Sequence, residues 1–202
     1  MPPCGDLAYN RGELPVPNFT MMRLVTLAAA LVLSCAWTVG QTDGLVESQP
    51  AAFTPPALDR LPTVDRVVVR KAERRLILMH GGNIVRSYHV ALGLNPQGQK
   101  ERAGDFRTPE GSYHLDRRNP RSDFFLSIKV SYPNEQDIRR AHTRHWDTGG
   151  SIMIHGLPNV LKHEQEYYES HDWTDGCVAV SNADMVEIWM LVPDDVPIDI
   201  LP

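Results

Sequence analysis

Residues 151–180 read SIMIHGLPNVLKHEQEYYESHDWTDGCVAV, and the reading of the fold turns on them. The stretch opens with Ile152-Met153-Ile154 and runs into His155-Gly156. It ends with Thr174-Asp175-Gly176-Cys177, followed by Val178-Ala179-Val180. Short apolar runs bounded by glycine and turn residues read as buried strands. Each of the two strands carries one half of a candidate Cys–His pair. A thiolate attacks carbonyl carbon, and a nearby imidazole takes the thiol proton. The pair needs proximity in space, so the 21 residues between His155 and Cys177 are no obstacle if the strands are neighbours. Gly176 permits close backbone approach and leaves the amides around Cys177 able to point at an oxyanion. The competing reading is a cysteine that serves as a small buried hydrophobe.

Ahead of this stretch the chain divides by composition. Met21-Met22-Arg23 precedes the apolar run Leu24–Ala36, which is short for a membrane span and fits the core of a secretory leader. Residues 1–40 are read as an N-terminal extension plus signal peptide or anchor, with synthesis starting at Met21 or Met22. Thr38-Val39-Gly40 offers a cleavage site, and Leu33-Ser34-Cys35 an alternative lipid attachment. Residues 41–63, with Pro50, Pro55, Pro56 and Pro62, read as a linker. The domain then spans residues 64–202, outside the cytoplasm and in a periplasm-like compartment, with any membrane contact made through the N-terminal segment. Of three cysteines, Cys4, Cys35 and Cys177, only the last falls in that domain. A lone thiol kept in an oxidising compartment calls for a reason, reactivity or deep burial.

The 202 residues carry a net charge of −5, with no basic block of the kind that binds nucleic acid. Arg66, Arg70, Lys71, Arg74 and Arg75 read as solvated flanks of strands. Strands are expected at Arg66–Arg70 and Leu76–Met79, then a Gly81-Gly82-Asn83 turn and a return over Ile84–Leu92. Gly93–Arg107 reads as a long loop, Ser112–Leu115 as a strand, Asp116–Asp123 as a polar loop and Phe124–Val130 as a strand. Asn134 is placed to cap a helix over Glu135–Arg144. Asn159–Ser170 reads as a polar, lid-like helix or loop. Ser181 to Asp184 fits a capping box, and Met185, Ile188, Trp189 and Val192 give an amphipathic helix before a last strand at Pro197–Leu201. The fold class is mainly β with a few peripheral helices.

His142 and His145 have a metal-like spacing, and His155, His163, His171 and Cys177 are possible partners, but the spacings match no strong zinc pattern. Neither a phosphate-binding glycine loop nor a serine nucleophile elbow occurs. No metal and no organic cofactor is expected. Asp172 and Asp175 read either as groups that orient the site or as solvated loop carboxylates.

His155-Gly156 followed by Thr174-Asp175-Gly176-Cys177-Val178 resembles the L,D-transpeptidase catalytic domain, also called the YkuD domain. The stretch Asp105-Phe106-Arg107-Thr108-Pro109-Glu110-Gly111-Ser112-Tyr113 resembles the family's T-P-x-G segment. Asn119-Pro120-Arg121-Ser122, Ser131-Tyr132-Pro133-Asn134 and Ile154–Asn159 extend the likeness over Val64 to Pro202. Commoner members read S-H-G-C-x-R; here Asp175 replaces the histidine and Ala179 the arginine, the pattern of the YafK-like branch. The resemblance implies a β-sandwich-like domain with a cradle-shaped cleft. Cys177 would be the nucleophile and His155 the general base and acid, with the Gly156 carbonyl orienting the imidazole. The Gly176 and Cys177 amides would form the oxyanion hole. Trp173, Thr174 and Asp175 would contact substrate. The activity implied is acyl transfer on peptidoglycan stem peptides. The alternatives are hydrolysis of a stem-peptide or wall-linked lipoprotein bond, and a non-catalytic wall-binding module.

Overall fold

The computed structural model describes residues 63–202; the leader and most of the linker, with Cys4 and Cys35, lie outside the described residues. The strands are β1 (Arg66–Arg70), β2 (Arg75–His80), β3 (Asn83–His89), β4 (Gly111–Ser122), β5 (Phe125–Val130), β6 (Met153–His155), β7 (Val178–Ala179) and β8 (Val196–Leu201). Three helices join them: α1 (Glu135–His142), α2 (Gln165–Ser170) and α3 (Asn182–Leu191). All eight strands form one sheet in the order β3-β2-β1-β8-β4-β5-β6-β7. Past β3 the chain continues to Ala91, which pairs with Ala179 of β7 through two backbone hydrogen bonds of 2.9 and 2.8 Å. The two ends of the strand order therefore meet, and the sheet curls back on itself. The mainly-β expectation holds.

Local sequence explains much of this. β1 and β2 are short continuous apolar runs flanked by charged residues, and Gly81 and Gly82 supply the two left-handed residues that a tight hairpin turn requires. Asn134 caps α1 as expected, accepting from the amides of Gln136 and Asp137 while Asp137 reaches back to the Asn134 amide. Ser181 caps α3 by accepting from the Asp184 amide. Met185, Ile188 and Leu191 of α3 are buried against the sheet. The main core gathers Val67, Val69, Leu76, Leu78, Val90, Leu92, Ile128, Ile154, Val178 and the inner residues of α3 and β8. Each such side chain contributes about 1.5–3 kcal/mol on burial.

Two expectations are corrected. The expected polar loop at residues 116–123 is the second half of β4, paired to β5 through two register shifts. That strand needs no apolar alternation, because Arg118 stacks 5.0 Å from the Trp189 ring and donates to Asp194 and to the Trp189 carbonyl of α3. The expected last strand is β8, which lies inside the sheet, parallel to β1 and antiparallel to β4. Lys71 is not a solvated flank. It is 2 % exposed and donates to the Gly98 and Thr108 carbonyls and to Glu110. Burial pushes its ammonium below the usual lysine range, against the pull of Glu110. It thereby pins the long loop at residues 93–110 to the end of β1.

Candidate active site

The strands β5, β6 and β7 have two unlike faces. Ile128 lies opposite Ile154, and Ile154 opposite Val178; all three point into the main core. Side chains alternate along a strand, so the neighbouring residues face the other way. On that outer face Ser127 is paired with His155, and His155 with Ala179. Cys177 precedes Val178 and so shares the outer face, one residue pair along the strands from His155. The outer face is covered by a second apolar cluster made of Ala91, Leu157, Tyr168, Trp173 and Ala179, with Phe124 and Tyr167 packed against it. The two halves of the candidate pair are thus brought to one face, on adjacent parallel strands.

His155 is 1 % exposed. Its Nδ1 lies 2.7 Å from the Gly156 carbonyl oxygen. A carbonyl only accepts, so Nδ1 carries the proton and Nε2 holds the lone pair. Nε2 is buried and makes no hydrogen bond to the described residues. The ring is held between Phe124, at 4.7 Å between centroids, and Trp173, edge-on at 5.5 Å. The Gly156 amide donates to the Phe124 and Leu126 carbonyls, and Asn182 accepts from the Leu157 amide at 2.8 Å. The backbone on both sides of the imidazole is therefore fixed.

Cys177 is 1 % exposed, and its thiol donates to the Ser151 carbonyl at 3.5 Å. The turn before it is built by Thr174, whose hydroxyl accepts from the Gly176 amide and donates to the Cys177 carbonyl. Gly176 has φ +128°, and a Cβ there would sit 2.6 Å from the Arg107 carbonyl. No other residue fits this junction without moving the loop at 106–107. The Gly176 amide, expected as an oxyanion donor, is engaged by Thr174 inside the turn.

Of the residues expected to meet substrate, Trp173 and Thr174 are buried and spend their polar groups internally. The Trp173 indole donates to the Tyr168 carbonyl at 3.2 Å. Asp175 is half-buried. Asp172 takes three bonds from the Arg74 guanidinium and one, at 2.8 Å, from the Leu92 amide, tying the segment before the Cys177 turn to the strand end after β3. His142, His145, His163 and His171 are exposed and lie apart from His155 on α1, its following turn and the segment around α2. Among the described residues no three His, Cys, Asp or Glu side chains gather as a metal site.

Phe124, Ser127 and Asn182 are site residues that sequence reasoning passed over. The alternation of Ser127 with Ile128 carried a signal, but only the pairing with β6 shows which strand it faces. Beside the site lies a cavity of about 420 Å³ lined by Ala91, Leu157, Tyr168, Glu169, Ala179 and Asp184, among others. Ala179, a small residue, forms part of its lining.

The profile of the L,D-transpeptidase catalytic domain, YkuD, matches residues 64–200. YafK of Escherichia coli strain K12, a provisional L,D-transpeptidase, is 32% identical over 108 residues. That match covers 52% of this chain and 36% of YafK, so it spans about a third of that relative's length. A variant of the helical cell shape determining protein Pgp2 from Campylobacter jejuni superposes with a TM-score of 0.50 at 25% identity, over 68% of this chain and 46% of that one. The L,D-transpeptidase of Xylanimonas cellulosilytica gives a TM-score of 0.46 at 17% identity, over 70% and 62% of the two chains. With a profile match that runs from just before β1 to the end of β8, the chain belongs to the L,D-transpeptidase catalytic-domain family.

Proposed function

We propose that this protein is a cysteine acyltransferase acting on peptidoglycan stem peptides, outside the cytoplasm. The reading rests on one observation above all: β6 and β7 are parallel neighbours that put His155 and Cys177 on one face, with Nε2 the proton-free nitrogen. Nε2 takes the Cys177 proton as sulfur attacks the carbonyl on the L-centre of the third stem residue. The tetrahedral oxyanion collapses, the C–N bond breaks, and the same proton passes to the departing D-alanine amine. A thioester on Cys177 remains. The amine of a second stem then attacks it, giving its proton to Nε2 and restoring the thiol, and the product is a 3-3 cross-link. Water in place of that amine yields a carboxylate, which is the hydrolase outcome, on a stem peptide or a wall-linked lipoprotein. The cavity floored by Ala179 supplies room beside the pair for the second reactant. Because Cys177 is 1 % exposed, the segments packed over it have to part for a stem to reach it.

The test is mass spectrometry of the purified protein mixed with tetrapeptide stems. A Cys177 adduct with the mass of the tripeptide acyl group, resolving to a cross-linked dimer, is the expected result. A shortened monomer means hydrolysis, and the absence of any adduct, with sacculus binding retained, means a wall-binding module.

A further inference from the structure

The register that places His155 opposite Ser127 also places Lys129 opposite Met153. Ile128 and Val130, on either side of Lys129, are in the main core, so Lys129 faces outward with Met153 and Cys177. The outer face therefore carries two rows. One is Ser127, His155, Ala179; the other is Lys129, Met153, Cys177. Lys129 and Met153 are both half-buried.

The ammonium of Lys129 differs from the two buried lysines of this domain. Lys71 lies 2.7 Å from Glu110, and Lys100 lies 2.7 Å from Asp105. Among the described residues Lys129 makes no ion pair and no side-chain hydrogen bond. A half-buried cation without a counter-charge is costly, and an anion from a ligand relieves that cost. Two strand spacings separate the Lys129 and Cys177 backbones, roughly 10 Å. A lysine side chain is long enough to cover part of that gap, with its ammonium at the end of a flexible stem.

We infer that Lys129 is a specificity residue that binds the free carboxylate of the residue leaving from the scissile bond. The ligand class is a peptide whose carboxyl terminus lies one residue past the attacked carbonyl. This rests on the acyl-transfer reading for the position of the scissile bond. The paired neighbours of Lys129 offer no anion: Met153 on β6 is neutral, and on β4 the residue opposite is Arg117, whose like charge leaves the ammonium without compensation.

The experiment measures equilibrium binding and kcat/KM of the whole protein for two stem tetrapeptides, one ending in D-alanine and one in D-alaninamide. Wild type, Lys129→Gln and Lys129→Arg are compared. A charge-assisted bond predicts that wild type prefers the acid over the amide by about 10–100-fold. Lys129→Gln should lose that preference by weakening acid binding alone, with its affinity for the amide unchanged, and Lys129→Arg should retain most of it. The loss should appear in KM and Kd rather than kcat. A merely structural role would weaken both peptides equally. Wild type that does not discriminate, or Lys129→Gln that still does, overturns the inference. If neither peptide acylates Cys177, the acyl-transfer reading fails, yet the acid-to-amide ratio in binding still decides Lys129. If neither peptide binds, both fall.

Discussion

The two faces of β5, β6 and β7 differ although the same residues alternate to make them. The inner face is Ile128, Ile154 and Val178, aliphatic throughout and closed in the main core. The outer face is Ser127, Lys129, Met153, His155, Cys177 and Ala179, mostly polar or small, with an aromatic cluster packed over Ala179. The inner face holds the strands in register; the outer face uses that register to bring His155 and Cys177 together. On the proposed function, stability and chemistry fall on opposite sides of one sheet, and substitutions should separate them.

The largest effect is expected at Cys177, the proposed nucleophile. Cys177→Ala should reduce turnover to background while the urea midpoint barely moves, since exchanging a thiol for hydrogen removes little packing. Retention of more than a few percent of turnover would rule out Cys177 as the attacking group, and unfolding would restore the reading of a packing cysteine. Next, His155→Gln should cut kcat by about 10²–10⁴-fold, the ordinary contribution of a positioned proton-transfer group. The pH dependence of iodoacetamide alkylation should move toward that of an ordinary thiol in this variant. His171→Ala should leave the alkylation profile in place, because its ring stacks on Tyr167 away from the pair.

The inner face gives the opposite signature. Ile128→Ala should cost about 2–5 kcal/mol of stability as a large-to-small core change, measured by urea unfolding. Turnover per folded molecule should stay within a few-fold of wild type. A collapse of kcat without loss of stability would mean that the two faces are not separable.

The smallest effect on chemistry is expected in the loop that packs on Gly176. Burial pushes the Asp105 carboxyl up, but Lys100 and the amides of Glu101, Arg102 and Arg107 outweigh it and hold the group below its ordinary value of 3.8. The folded state therefore favours the carboxylate. That stability is fully present above the unfolded value and is lost as pH falls through the folded one. Asp105→Asn should remove this acid-side loss. At neutral pH it should also cost about 3–5 kcal/mol, because Lys100 is left buried with its charge uncompensated. Thermal midpoints across pH 2–7 for the two proteins check both parts; parallel curves would count against the linkage.

Local sequence determined a good deal. The apolar runs in β1 and β2, the Gly81-Gly82 turn, the Asn134 and Ser181 caps and the strand ends at His155 and Cys177 depend on residues near one another in the chain. The family, too, was legible in the motifs around His155 and Cys177, and the profile match agrees. The second half of β4 was not legible. Its charged residues become a strand only because β5 lies alongside and α3 receives Arg118.

Tertiary structure alone decided the rest. A sequence run cannot show that β8 lies between β1 and β4, that Ala91 closes the sheet onto Ala179, or that Lys71 is buried at the end of β1. The same holds for the outer face. Phe124 against His155, and Lys129 in a row with Met153 and Cys177, follow from inter-strand register. Register is set by pairing between distant segments, and no residue's own neighbours encode it.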